Sequence, residues 1–190
     1  MYQVFDTSSV TDMFGMFRYC ESLISIDVSN FNISHVETMF DIFGYCFNLI
    51  YVNVSSFDTS KVKDFQGMFY SCNKLKYLDL SNFDISSATR IEYMFMSCEP
   101  LIYINLSSLK IRNSPIFTTI HNSDRSTIVC IKDSETINIL KKQGMIFNCE
   151  NKCFNENMKI DSKIINALKI VVDVNIKMNI IIYALKNVLT

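Results

Sequence analysis

The stretch MFYSCNKLKYLDLSNFD, from Met68 to Asp84, has a near copy in MFRYCESLISIDVSNFN, from Met16 to Asn32. The two are related by an internal period. Cys20, Cys46, Cys72 and Cys98 are separated by an unvarying 26 residues, as are Leu23, Leu49, Leu75 and Leu101, and Ser29, Ser55, Ser81 and Ser107. The same step joins Phe5, Phe31, Phe57, Phe83 and Leu109, so four units follow one another from about Phe5 to Leu109 without insertion or deletion. A period in the range of roughly 20 to 50 residues decides the fold before any local reading, because each unit must bury its apolar face against a copy of itself.

Two patterns run inside each unit. Leu75, Leu78, Leu80 and Phe83 alternate with polar Asp79 and Ser81, which predicts a short strand with one buried face. Val62, Phe65, Met68, Phe69, Cys72 and Leu75 recur every three or four residues, which predicts one face of a helix. The joining segment SNFDTSKV is rich in residues that favour turns and helix starts, and Ser34 and Glu37 have capping-box spacing. The expected fold class is therefore an α/β solenoid: tandem 26-residue strand-turn-helix, leucine-rich-like repeats over residues 1–109, followed by a small C-terminal cap.

The unit FDTSKVKDFQGMFYSCNKLKYLDLSN, Phe57 to Asn82, resembles the BspA-like leucine-rich repeat found in tandem in surface proteins of bacteria and protists. The resemblance covers about 105 residues. It implies a surface-exposed adhesion or binding protein, at the cell surface or outside it, and not an enzyme. One departure is that Phe31, Phe57 or Phe83 stands where commoner leucine-rich repeats carry a ladder-forming Asn, so their horseshoe curvature is not implied.

Beyond Leu109 the period fails at KIRNSPIFTT. STIVCI predicts a strand, and DSETINILKKQG a short helix with Asp133 or Ser134 at its start and Gly144 beyond its end, together a capping segment over 110–153. The Ile, Asn and Lys rich tail over 154–190 reads either as a strand, from the alternation in VDVNIKMNI, or as a helix, from Ile164, Leu168, Val171, Asn175, Met178, Ile182, Leu185 and Leu189; its length without Gly or Pro favours the helix. Met1 enters in the middle of a unit, which implies a fragment of a longer protein or an open first repeat.

Chemistry is sparse. A net charge of -1 without a dense basic run leaves no footprint for nucleic acid. No window offers the roughly 18 apolar residues of a membrane span, and the start lacks a signal-peptide pattern. His35 and His121 have no partner motif, phosphate-binding and nucleophile motifs are missing, and four glycines supply little material for a phosphate-cradling loop. No catalytic residue, cofactor or metal is expected. The four repeat cysteines fall on the apolar face, where a thiol acts as a small hydrophobe. Cys130, Cys149 and Cys153 lie outside the period, and in an extracellular protein two of them would pair, which two being open.

The candidate ligand face is the outward side of the strands. Alternation turns Tyr51, Tyr77 and Tyr103 outward in one column that begins with Ser25, and Asp27, Asn53, Asp79 and Asn105 in the next. Such a strip suits a protein or glycan ligand on a surface, against the plainer reading of self-stabilising stacking. Of three N-x-S sequons, at Asn32, Asn53 and Asn105, Asn32 lies in a turn and is the best placed for glycosylation. The expected function is non-catalytic recognition or adhesion; an intracellular interaction scaffold is the alternative, and a disulfide among the three late cysteines separates the two.

Overall fold

The computed structural model describes residues 6–99, 101–108, 128–142 and 148–149. Short parallel strands recur at the period of the sequence: β1 (Ser25–Asp27), β2 (Tyr51–Asn53), β3 (Tyr77–Asp79) and β4 (Tyr103–Asn105). Equivalent residues face each other, Ser25 against Tyr51 and Tyr77 against Tyr103, so the repeats stack in register. Each strand buries its middle residue, Ile26, Val52, Leu78 or Ile104. Strands end early because the chain turns at once: Asp27 Oδ1 accepts the N–H of Ser29 at 3.0 Å and Asp79 Oδ1 that of Ser81 at 2.9 Å.

The expected helices are absent from the described repeats, and this corrects the strand-turn-helix reading. The apolar positions are buried as anticipated, but the backbone beneath them is a ladder of turns. Alternate N–H groups cross to the next repeat: those of Met39, Asp41, Phe43 and Tyr45 donate to the carbonyls of Asp64, Gln66, Met68 and Tyr70 at 2.7–3.0 Å. The intervening N–H groups of Ile42, Gly44 and Cys46 reach back three residues, to Met39, Asp41 and Phe43. A chain of three-residue turns repeats its inward side chains every three or four positions, as a helix does, so periodicity could not separate the two. What separates them is that a helix satisfies its backbone internally, whereas here the neighbouring repeat is the acceptor.

Redirecting alternate N–H groups requires left-handed residues. Gly15, Asp41, Gly67 and Tyr93 form one such column and Tyr19, Tyr45, Ser71 and Ser97 a second, all with φ between 54 and 63°. The capping-box pair is likewise employed elsewhere: Ser34 Oγ donates to Asn32 Oδ1 at 2.8 Å, and Glu37 Oε2 pairs with Lys63 Nζ at 2.7 Å.

Side chains form columns through the core. The rings of Phe17, Phe43, Phe69 and Phe95 stack with centroids 5.4, 5.5 and 6.0 Å apart. Beside them the thiols of Cys46, Cys72 and Cys98 donate to the carbonyls of Phe17, Phe43 and Phe69 in the preceding repeat, at 3.0, 3.3 and 2.9 Å. Burial pushes the Cys46 thiol up to about 12, and contact with Cys98, then burial, pushes Cys72 up. Both therefore stay protonated and keep their donor.

Contacts at the turn after each strand alternate by repeat. Thr7 Oγ1 donates to the carbonyl of Asn32 at 3.0 Å and accepts its N–H at 2.8 Å; Thr59 does the same with Asp84, at 2.9 and 2.8 Å. In between, the same position is Ile33, and then Ile85. The sheet follows suit, with β1 paired to β2 and β3 to β4, and no pairing between β2 and β3.

β5 (Ile128–Cys130) extends the second sheet alongside β4, and β6 (Asn148–Cys149) extends it further. Between them α1 (Ser134–Lys142) begins where the sequence signals it, Asp133 Oδ2 accepting the N–H of Thr136 at 2.7 Å. Cys130 is disulfide-bonded to a sulfur outside the described side chains, while Cys20, Cys46, Cys72 and Cys98 are free. The 154–190 tail lies outside the described residues.

The thiol bond yields a prediction. If Cys72 were only a small hydrophobe, Cys72→Ser would be worse than Cys72→Ala; because its thiol is a donor, Ser should be tolerated better. Ala should cost about 1–2 kcal/mol, from a lost hydrogen bond and a small void. Urea denaturation of the two variants measures the order.

Candidate functional site

The strand face is less open than alternation implies. Tyr51 and Tyr77 are half-buried, and the Tyr51 hydroxyl is pushed up in pKa by burial and then by the Asp27 carboxylate. Tyr103 is 1% exposed and Asn105 7%, and Ser25 is buried as well, which corrects the expectation of four outward rungs. β4 lies inside its sheet, between β3 and β5, so its side chains have neighbours on both sides.

The acid and amide column has a structural task in every repeat. Asp27, Asn53, Asp79 and Asn105 each accept the N–H two residues on, at 2.9–3.2 Å, and Asn53 Nδ2 donates to Asp27 Oδ1 at 3.0 Å. Asn32 is exposed, its Oδ1 held by the N–H and Oγ of Ser34 at 3.1 and 2.8 Å. His35 is an exposed turn residue, and His121 lies outside the described residues. Among the described residues, no group of three or more His, Cys, Asp or Glu is placed to hold a metal ion.

A second cluster, on the turn ladder, was not singled out by sequence. Tyr19 and Tyr45 occupy successive rungs of one left-handed column and stack at 4.6 Å with planes 19° apart. Tyr70 lies 4.9 Å from Tyr45, and Phe47 meets the same ring edge-on at 6.1 Å. The Arg18 guanidinium sits 4.9 Å from the Tyr19 centroid and 5.3 Å from that of Tyr45. Tyr19 is 54% exposed. The signal was present, since Tyr19 and Tyr45 are one period apart, but a helix reading gives no reason to treat that column as exposed or left-handed.

These tyrosines are costly where they stand. A left-handed conformation costs an L-residue about 1–2 kcal/mol that Gly avoids. The fold demands the conformation in every repeat and uses Gly for it at Gly15 and Gly67. At Tyr19 it holds a bulky ring that remains more than half exposed, so burial recovers only part of the cost.

Two ion pairs join neighbouring repeats. Arg18 Nε lies 3.1 Å from Asp41 Oδ2, and Arg90 pairs with Asp64 one repeat further on. Asp41 is 6% exposed and rests over Gly67, where any Cβ would overlap its Oδ1. Burial, offset in part by Arg18 and reinforced by Asp64, raises the pKa of Asp41.

A family model described as "Mycoplasma protein of unknown function, DUF285" matches residues 2–107. No curated protein and no solved structure matches the chain. Among the described residues, no helix is long and apolar enough to cross a membrane.

The raised pKa of Asp41 gives a signed prediction. The fold favours its protonated form, so its stabilising contribution is complete below the ordinary value of 3.8 and is lost as pH rises through the higher folded value. Asp6, Asp58 and Glu37, whose pKa values are lowered, act in the opposite sense as pH falls. The difference in Tm between the native chain and Asp41→Asn isolates Asp41, and it should shift in favour of the native chain between pH 7 and pH 4. A difference that stays flat would contradict the assignment.

Proposed function

We propose that this chain, which belongs to the DUF285 family, is a non-catalytic recognition module that acts at a cell surface and binds a protein or a glycan. On this reading the stacked repeats form a solenoid of the kind the BspA-like resemblance implies, and its side-chain columns are the contact surface. The observation that carries the proposal is the Tyr19 and Tyr45 stack: an exposed ring, Tyr19, laid on a half-buried one, Tyr45, both held in a conformation that costs stability. Strain kept at an exposed aromatic position, where Gly would serve the backbone better, is the mark of a residue retained for contact. Tyr51 and Tyr77 supply a second, more sheltered aromatic column on the strand side.

The disulfide at Cys130 supports an oxidising compartment and weighs against the intracellular scaffold. The four free thiols sit comfortably with that setting, since the three fully buried ones donate to carbonyls inside the core, away from solvent. Asn32, exposed in its turn, remains the sequon best placed for a sugar.

Two double variants test the proposal and locate the surface. The folded chain is assayed on a glycan array and on immobilised extracellular-matrix proteins, beside Tyr19→Ser/Tyr45→Ser and Tyr51→Ser/Tyr77→Ser. The first double should lose at least tenfold in affinity, about 1.4 kcal/mol, with little change in Tm. The second should lose less affinity and more stability. A chain that binds nothing on either surface, or both doubles binding like the native chain, would remove the basis for a recognition role.

A further inference from the structure

We infer that Arg18, Tyr19 and Tyr45 form a receptor site for a carboxylate-bearing pyranose, an acidic sugar residue within a glycan; the inference rests on the recognition reading and adds a ligand class and a location to it. Arg18 is held from two sides. One edge of its guanidinium is set against Asp41, Nε to Oδ2 at 3.1 Å, and its plane lies near the rings of Tyr19 and Tyr45. Its guanidinium makes no hydrogen bond among the described residues, the buried Nε included, and the side chain is 32% exposed. A guanidinium placed by an ion-pair contact on one edge and two rings beside its plane, with its donors open, is a preformed fork for a carboxylate.

Tyr19 supplies the second half of the site. One of its faces is covered by Tyr45, and the ring still keeps more than half of its surface in solvent. An aromatic face is electron-rich, and the C–H groups of a pyranose are its natural partner. The stack of the two rings and the Arg18 contacts hold side chains that have only two rotatable bonds each, so little freedom is lost on binding. Below Tyr45 the same column continues as Ser71 and Ser97, so a polymer running along the stack meets two rings and then two hydroxyl-bearing residues. An acidic peptide would satisfy the Arg18 fork but bring no rigid apolar face to Tyr19. A repeating ligand also matches a repeating surface, which is why a glycan is favoured.

The test uses calorimetry on the full chain with four probes: a hexasaccharide alternating glucuronate and N-acetylglucosamine, sialyllactose, a neutral N-acetylglucosamine hexamer and hexaglutamate. At least one acidic sugar should bind at least tenfold more tightly than the neutral hexamer or hexaglutamate. Tyr19→Ser should lose about tenfold, roughly 1.4 kcal/mol, for the acidic sugar while Tm changes little. Arg18→Met alone strands the Asp41 carboxylate and can unfold the chain, so it is made as Arg18→Met/Asp41→Asn, which should lose the acidic preference. Equal binding of neutral and acidic sugars, hexaglutamate binding as tightly as the sugars, or an unaltered Arg18→Met/Asp41→Asn variant would each overturn the site. If the chain adheres to matrix proteins and no acidic sugar competes, recognition stands and this site falls; if it adheres to nothing, both fall.

Discussion

The interaction on which everything else rests is the backbone hydrogen bond between neighbouring repeats on the turn ladder. Each of Met39, Asp41, Phe43 and Tyr45 gives its N–H to the next repeat, and the residues between them close three-residue turns. That alternation sets the position of every column: it brings Phe rings face to face, places each Cys thiol under a Phe carbonyl, and leaves Tyr19 on the outside. Isolated bridges from Asp12 through Thr38 and Asp64 to Arg90 continue the same ladder across all four repeats. A short repeat can therefore fold without a helix because its backbone is completed by its neighbours.

Much of this was legible as columns and little of it as conformation. The exact 26-residue step of Cys, Leu and Ser positions determined that the repeats stack in register, and Ile26, Val52, Leu78 and Ile104 are buried where alternation placed them. The turn ladder was misread because three-residue turns and a helix share a side-chain period; only the acceptor of each N–H distinguishes them, and that acceptor is 25 residues away in Gln66 for Asp41. The site was misjudged for a related reason. Alternation says which way Tyr103 points, but whether that direction is open depends on β5, which lies beyond the periodic part of the chain. Tyr19 went unnoticed because its exposure follows from a left-handed rung that no helix contains.

Polar residues carry the corners. Asp6, Asn32, Asp58 and Asp84 each accept the N–H two residues on, at one bend, as Asp27, Asn53, Asp79 and Asn105 do at another. Asp12 and Asp64 do so at a third, towards Phe14 and Gln66. Side-chain acceptors of this kind turn the chain without requiring glycine, which is how a bent architecture arises in a sequence with only four glycines. It also explains why carboxylates that resemble a ligand strip in the sequence are engaged with their own backbone in the structure.

The seat of Asp41 over Gly67 bears on how such an array can grow. A second copy of the Asp41 repeat laid directly on the first would set a side chain against that carboxylate, where the overlap at Gly67 leaves no room for a Cβ. Copying two repeats together keeps the alternation of glycine with a larger residue that already runs Gly15, Asp41, Gly67, Tyr93. The threonine clasps of Thr7 and Thr59, with isoleucine between them, and the pairing of β1 with β2 and of β3 with β4 keep the same beat. Two repeats together are then the smallest length of chain that carries the whole alternation, so a single repeat is not a self-consistent building block of this stack.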